Sequence, residues 1–416
     1  MSTFNEIFQW ILGIFAILYL IVRPLAVPIS AIFTKKKNES VKVFIEGVSM
    51  LVPCHNEEEH LEEAVLSLLK QNIRKQIILI ENGSSDRTGE IAFKLSEKYE
   101  EVTYTHVKVP KGKFPISIAM NHGLKFAKYP YMVRLDADTQ LGDPNTIRRA
   151  VEPIASGKAV ATACNVRLSN VKDSIITRIQ AIEYYLSMEL DRRSQRLYNG
   201  ILVASGAMQC LRVDLVKKSG GYTTHPWTSE DMDMTLKMHD YGKVEMVPDA
   251  ISYTDAPDTW KVIVKQRYWW MILGVMCMIA HRKSIGRPVG HKGGLGLIAL
   301  PLKVFTSFRA LFGIAYRSYY WIMLADWTDP VSIAKTFGII VAIHLGLEYF
   351  GLVVVAPVAR EKQGIEQWWV VPFYSLVYQP VMAIVRLFAI VGSIKVLWQF
   401  GKKLDVHVPV NDSKIA

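Results

Sequence analysis

Tyr131-Met-Val-Arg-Leu-Asp-Ala-Asp138 decides the fold: a short strand-like run ends in two carboxylates placed two residues apart. The same arrangement recurs upstream. Gly47-Val-Ser-Met-Leu-Val52 reads as a strand stopped by Pro53, and Ile77-Ile-Leu-Ile80 as another, leading into Glu81-Asn-Gly-Ser-Ser-Asp86. Thr103 to Val107 and Ala159 to Ala163 add two more. After the first strand, Leu61, Ala64, Val65, Leu68 and Leu69 follow helical spacing. Asn56 is placed to cap that helix, with Glu57, Glu58 and Glu59 in its first turn, where the helix dipole favours acids. Strands alternating with helices predict a mostly parallel sheet covered on both faces. In such sheets ligands gather beyond the carboxyl ends of the strands.

That rule directs attention to the residues after Val52, Ile80 and Leu135. Asp136 and Asp138 can share one hard divalent cation, and Mg2+ or Mn2+ would keep substrate phosphates in its shell. A bare D-x-D also fits a solvated turn; its place at a strand end favours the metal. Glu81 precedes a Gly/Ser turn and a helix start, which suits hydrogen bonding to a base or ribose. The Pro53-Cys-His-Asn-Glu57 loop faces the same crevice, and His55 can stack or hydrogen-bond there. Downstream, Thr228-Ser-Glu-Asp231 opens a further helix. Glu230 and Asp231 either complement the dipole or supply a general base for an attacking hydroxyl.

The chain of 416 residues carries 49 Lys+Arg against 38 Asp+Glu, a net charge of +11. Divided along the chain, the excess is +2 in residues 1–40, +1 in 41–281 and +8 in 282–416. The nearly neutral middle argues against a nucleic-acid partner, because the positive charge belongs to the apolar ends. Half of the residues are apolar, which excludes disorder. Four cysteines without C-x-x-C spacing exclude a disulfide scaffold and read as buried thiols in a reducing compartment.

Ile7 to Val22 is free of charge, and a span starting there and passing Arg23 would reach the length a bilayer needs. Lys35-Lys36-Lys37 then puts the following domain in the cytoplasm. Residues 331–359 and Gln367 to Val385 are further long apolar stretches, with Tyr319, Tyr320, Trp321, Trp368 and Trp369 as interfacial belts. Lys265-Gln266-Arg267-Tyr268-Trp269-Trp270 opens an uncharged run to His281 that suits an interfacial or buried helix better than a span. The organisation expected is an N-terminal transmembrane segment with basic flank (1–40), a cytoplasmic catalytic domain (41–255), an interfacial helix (256–290) and a multi-helix membrane region (291–416). That organisation predicts a multi-pass protein in the lipid bilayer of the cell membrane.

VPCHNEE at 52–58, ENGSSDRTGE at 81–90, LDAD at 135–138, SGAMQCLR at 205–212, TSED at 228–231 and QRYWW at 266–270, in that order, resemble the membrane-embedded family 2 glycosyltransferases. That group includes synthases of hyaluronan, chitin, cellulose and poly-N-acetylglucosamine. The resemblance implies an α/β GT-A fold joined to α-helical transmembrane and interfacial segments, a nucleotide-sugar donor, Mg2+ or Mn2+, and inversion at the anomeric carbon.

Carried over by position, Glu81 stands where an aspartate contacts uracil, with Pro53 and His55 also on the donor. Asp136 and Asp138 match the donor and metal pair, and Asp231, beside Glu230, matches the general base. Lys113 lies in a G-K-like segment. Gln266, Arg267, Trp269 and Trp270 match the segment that closes over the donor diphosphate and lines the acceptor entrance. Two departures matter: Glu81-Asn82 replaces Asp-Asp, which weakens the case for a UDP-sugar, and Trp269 stands where an arginine is expected. The implied function is transfer of a sugar to a glycan hydroxyl, building a polysaccharide. The rivals are single-sugar transfer to a lipid-linked acceptor such as polyprenyl phosphate, and a non-catalytic membrane scaffold.

Overall fold

Alternate residues of the first strand enter different apolar layers, and this two-sided burial organises the central domain. The computed structural model describes residues 43–307, 322, 326–357, 359, 361–401 and 407. In β1 (Val48–Cys54), Val48, Met50 and Val52 face one layer while Leu51 faces the other. In β2 (Lys75–Glu81), Ile77 and Leu79 share the first layer, and Ile78 and Ile80 the second. Strands apolar on both faces need a helical cover on both sides. The first layer is closed by α1 (Leu61–Leu69) and α2 (Thr88–Lys98), and the second by α3 (Pro115–Gly123).

β3 (Val102–His106), β4 (Tyr131–Arg134), α4 (Thr146–Ala155) and β5 (Ala161–Leu168) continue the chain. With β6 (Gln209–Arg212) and β7 (Val244–Thr254) they complete one sheet of seven strands in the order β3-β2-β1-β4-β6-β5-β7. The sheet is mostly parallel, as the alternation predicts, but β6 runs antiparallel to β4 and to β5. That reversal sets the start of β6, Gln209, beside Arg134 at the end where β1, β2 and β4 terminate, so the loop before β6 reaches the same end.

Helix α1 begins at Leu61, later than Asn56 would place it. Residues 57–60 form a turn, closed by the His60 and Leu61 amides donating to the Glu57 carbonyl at 3.2 and 3.0 Å. Asn56 therefore does not cap the helix and Glu57, Glu58 and Glu59 are not in its first turn; Asn56 takes a left-handed conformation with φ of 57°. Its side-chain oxygen accepts from the Ser85 amide at 2.8 Å, tying the loop after β1 to the loop after β2.

After β5, α5 (Ile175–Leu186) runs through a π-helical turn into α6 (Arg193–Leu197). The turn's Glu189 is fully buried and pairs with Arg167 and Arg193. Next come α7 (Val213–Lys218), α8 (Glu230–Met238), α9 (Trp260–Ala280), α10 (Leu300–Ser307), α11 (Pro330–Val355) and α12 (Gln379–Phe400). Among the described residues, three segments are long and apolar enough to cross a membrane by length and composition: Trp260–Ala280, Pro330–Val354 and Trp368–Phe400. The first is the surprise, because it joins Lys261, Lys265 and Arg267 to the uncharged run in one helix of 21 residues. It lies along α12: Trp260 stacks toward Tyr378 with ring centroids 6.1 Å apart, and Ile272 and Met276 pack with Ala389 and Val396. The apolar run at Ile7 to Val22, its Lys35-Lys36-Lys37 flank, and Tyr319 to Trp321 lie outside the described residues.

Candidate active site

β1, β2 and β4 are neighbours in the sheet and parallel, so their final residues open onto one edge. β4 ends in Arg134, which is buried with 2% exposure. A guanidinium in that position needs carboxylate partners. Its Nη2 donates to Glu230 Oε1 at 2.7 Å and to Asp136 Oδ1 at 3.3 Å. One nitrogen thus joins the carboxylate pair after β4 to the first turn of α8. Gly206 makes this possible: a Cβ there would lie 2.5 Å from Nη2.

The next acid on α8, Asp231, is held from three sides. The Ser229 hydroxyl and the Met232 amide donate to its Oδ1 at 2.7 and 2.6 Å, and the Gly206 amide to its Oδ2 at 3.2 Å. Glu230 is buried, and burial pushes its carboxyl above the usual range, with Arg134 opposing that shift and Asp231 adding to it.

Asp138 is oriented by Thr254, whose hydroxyl donates to Oδ2 at 3.0 Å. Burial, with Asp136 and Asp255 nearby, raises its pKa to about 6. Glu57, from the loop after β1, is raised to about 7 by burial and by the charges of Asp138 and Asp136. Asp136 thus raises Asp138, and both raise Glu57, which places three carboxylates within electrostatic reach of one another. Asp136, Asp138 and Glu57 offer the oxygen donors that a hard divalent cation such as Mg2+ or Mn2+ takes, with ligand atoms not all within 4.8 Å of one another.

Glu81 ends β2 and is 5% exposed. Its Oε1 accepts from the Gly83 and Ser84 amides at 2.7 and 2.5 Å, and its Oε2 meets His106 Nδ1. Burial alone would raise its pKa; the bonds from Ser84, His106 and Gly83 outweigh that and hold it below the usual value. The carboxylate therefore shapes its own loop. Pro53 lies in β1 beside Ile80, and His55 is exposed on the loop that follows. Lys113 is exposed in a tight turn whose amide bonds the Pro110 carbonyl at 3.2 Å.

Sequence reasoning missed Arg134 and Glu57. A charge closing an otherwise uncharged four-residue strand was the available signal for Arg134. Glu57 was concealed by two neighbouring glutamates that look equivalent in sequence. The spacing of the cysteines also conceals one grouping. Cys277 and His281, one helical turn apart, lie with Asp233 so that their ligand atoms fall within 4.8 Å of one another. Lys237 Nζ already stands 2.9 Å from Asp233 Oδ2, so an ammonium group supplies the positive charge there. All four cysteines are buried and free, as the sequence leads one to expect.

Residues 49–220 match the model of glycosyl transferase family 2. Those residues form a family 2 glycosyltransferase domain. Poly-beta-1,6-N-acetyl-D-glucosamine synthases of Staphylococcus epidermidis and of Staphylococcus aureus strain COL are 33% and 32% identical to this chain over 229 residues. Those matches cover 54% of this chain and 54% of each relative, so the chain matches about half the length of these curated relatives. Among solved structures, a mannosyltransferase from Pyrobaculum calidifontis, in complex with GDP-Man and Mn2+, superposes with a TM-score of 0.58. At 15% identity, over 92% of this chain and 99% of that one, it shows the fold, which is of the GT-A type.

The family 2 domain is joined to α9 through the edge of the site. Trp227, next to Thr228, packs on Trp269 with ring centroids 6.0 Å apart, and on Phe400 of α12 at 5.7 Å. Trp269 and Trp270 are 39% and 49% exposed. Arg267 does not point to the carboxylate cluster: its Nη2 donates to Glu183 of α5 at 2.7 Å, and its guanidinium lies 4.2 Å from the Trp270 ring. Gln266 accepts from Arg267 Nη1 at 2.7 Å. Of the four residues in this segment, Trp269 is the one that meets Trp227, three residues before Glu230 in the chain.

Proposed function

We propose that this chain is a membrane-embedded, inverting glycosyltransferase that moves a sugar from a nucleotide-sugar donor, a UDP-sugar, to a glycan hydroxyl and so extends a polysaccharide. The observation that carries this reading is Arg134, which holds Asp136 and Glu230 on one nitrogen and so sets Asp231 beside the carboxylates able to face a donor diphosphate. The likeness to poly-beta-1,6-N-acetyl-D-glucosamine synthases supports a polymer product. The three long apolar segments support placement in a bilayer, and the basic flank Lys35-Lys36-Lys37 is the sequence argument for a catalytic domain on its cytoplasmic side.

The donor's base lies against the loop at Glu81 to Ser84, with Pro53 and His55 at its border, and its diphosphate beside Asp136. Asp136, Asp138 and Glu57 would hold Mg2+ or Mn2+, which, when bound, offsets the charge of the departing nucleoside diphosphate. Asp231 takes the proton of the acceptor hydroxyl. The hydroxyl oxygen forms its bond to the anomeric carbon from the face opposite the leaving phosphate oxygen, whose bond to that carbon breaks with its electron pair. A single displacement inverts the centre. Ser229 and the Gly206 amide fix the direction in which Asp231 accepts the proton. Trp227, Trp269 and Trp270 border the acceptor entrance, while Lys113 borders the diphosphate.

A second reading, one sugar added to a lipid-linked acceptor, is favoured by one observation. The cation in the Gln266–Trp270 segment, Arg267, is engaged by Glu183 instead of facing the donor. Purified full-length protein, given labelled nucleotide sugars with Mn2+ or Mg2+, separates the two. A ladder of products on a gel supports the polymer; a single lipid-soluble product supports the alternative; no transfer from any donor overturns both.

A further inference from the structure

α9 and α12 border a groove of about 800 Å³ that the catalytic reading does not use. Lys261 and Lys265 lie one helical turn apart on the α9 wall, and Lys395 stands on the α12 wall, with Tyr268, Phe388 and Val391 between them. All three lysines are exposed. Among the described residues, no carboxylate lines the groove and none of the three ammonium groups has an ion-pair partner. Both helices are long and apolar enough for a bilayer. An unpaired ammonium in such surroundings is costly unless it reaches headgroup phosphates or meets an anion. Three in one apolar groove match an anion with a hydrocarbon body.

We propose that the α9–α12 groove binds one anionic phospholipid, its phosphate held by Lys261 and Lys265 and an acyl chain lying along Phe388 and Val391 toward Lys395. The lining contains neither the site carboxylates nor Trp269 and Trp270. A phosphate seated there is not presented to Asp231, which favours a resident bilayer lipid over a lipid acceptor. This inference rests on the membrane placement proposed above and is independent of the transfer reaction. The bound lipid joins the two helices that bear Trp269, midway along α9, and Phe400, at the end of α12, the residues packed on Trp227 beside the active-site acids.

The test uses the full chain in non-ionic detergent, titrated with phosphatidylglycerol or phosphatidylcholine and read by native mass spectrometry. One phosphatidylglycerol should be retained at least about tenfold more tightly than phosphatidylcholine. Lys261→Gln/Lys265→Gln/Lys395→Gln should abolish that preference, while the triple Lys→Arg variant keeps it. The arginine variant guards against a folding defect, and an unchanged melting temperature of the glutamine variant serves the same purpose. Equal retention of both lipids by the wild type, or an undiminished preference in the glutamine variant, overturns the proposal. Displacement of phosphatidylglycerol by an equal concentration of polyprenyl monophosphate overturns it in favour of an acceptor lipid. Release of the chain from membranes by alkaline carbonate without detergent would instead defeat the membrane placement itself.

Discussion

Arg134 Nη2 stands 2.7 Å from Glu230 Oε1, joining residues 96 apart in the chain across the centre of the site. The pair is buried on both sides, with side-chain exposures of 2% and 11%. It keeps the helix that begins at Glu230 in register with the strand that ends at Arg134. The two acids proposed for chemistry, Asp136 and Asp231, adjoin its two members.

Removing one member leaves the other buried without its counter-charge. Arg134→Met is expected to destabilise the domain by about 3–5 kcal/mol, as for other broken buried pairs. Arg134→Met combined with Glu230→Leu should recover more than half of that loss. Chemical denaturation of the two variants, followed by circular dichroism, checks both statements. Equal stability of single and double variants would show that the pair does not carry the effect.

Asp231→Asn retains the shape of the side chain but cannot accept the hydroxyl proton. Transfer should fall by about 10²–10⁴-fold, with the affinity for the nucleoside diphosphate changed less than about twofold. Single-turnover transfer and calorimetric binding of the nucleotide measure the two separately. A variant with unimpaired turnover removes Asp231 from the mechanism.

The pKa values of Asp138, about 6, and Glu57, about 7, make cation affinity depend on pH. Both groups are raised above their unfolded values. Their proton uptake therefore stabilises the metal-free fold as pH falls through 7 and 6, and their repulsion is fully present above pH 7. A cation must displace those protons in acid, so its affinity should rise between pH 5.5 and 7.5, by about tenfold per unit for each proton displaced. Mn2+ titration followed by electron paramagnetic resonance checks this. Glu57→Gln should flatten the upper part of the profile, and an unchanged profile would exclude Glu57 from the cation's surroundings.

His239 gives a pH effect that owes nothing to a metal. It is buried, its Nε2 hydrogen-bonds the Ile201 carbonyl at 2.8 Å, and burial lowers its pKa from 6.5 to about 4. Below pH 6.5 the unfolded chain takes up a proton that the folded one refuses, so stability falls as pH drops from 6.5 toward 4. The full shift corresponds to about 3 kcal/mol. His239→Gln can keep the bond to Ile201 and should remove this part of the acid sensitivity. Denaturation midpoints at pH 7 and pH 4.5 measure the difference.

The parallel half of the sheet was legible because β1 and β2 are apolar on both faces and stop at polar loops. Asp136, Asp138, Glu230 and Asp231 were legible because acids at a strand end and a helix start break those patterns. β6 was not, since Gln209-Cys-Leu-Arg212 is short and begins and ends in polar residues. β7 was hidden by Pro248 and Asp249, which fall where its pairing with β5 shifts register between Cys164 and Asn165. The beginning of α1 was misplaced because three glutamates imitate a helical first turn, whereas the left-handed Asn56 holds them in a loop. Arg134 and Glu57 owe their importance to contacts with residues distant in sequence, which local pattern does not record.

Gly206 serves both halves of the site at once. Its amide fixes Asp231, and the space beside its Cα admits the guanidinium of Arg134. A methyl group at this one position would set the proton acceptor and the buried ion pair in competition for the same volume. In a saturation library, tolerance should therefore collapse at residue 206 while it persists at Gly274, where an added Cβ meets open space. The site depends on a hydrogen atom as firmly as on its carboxylates.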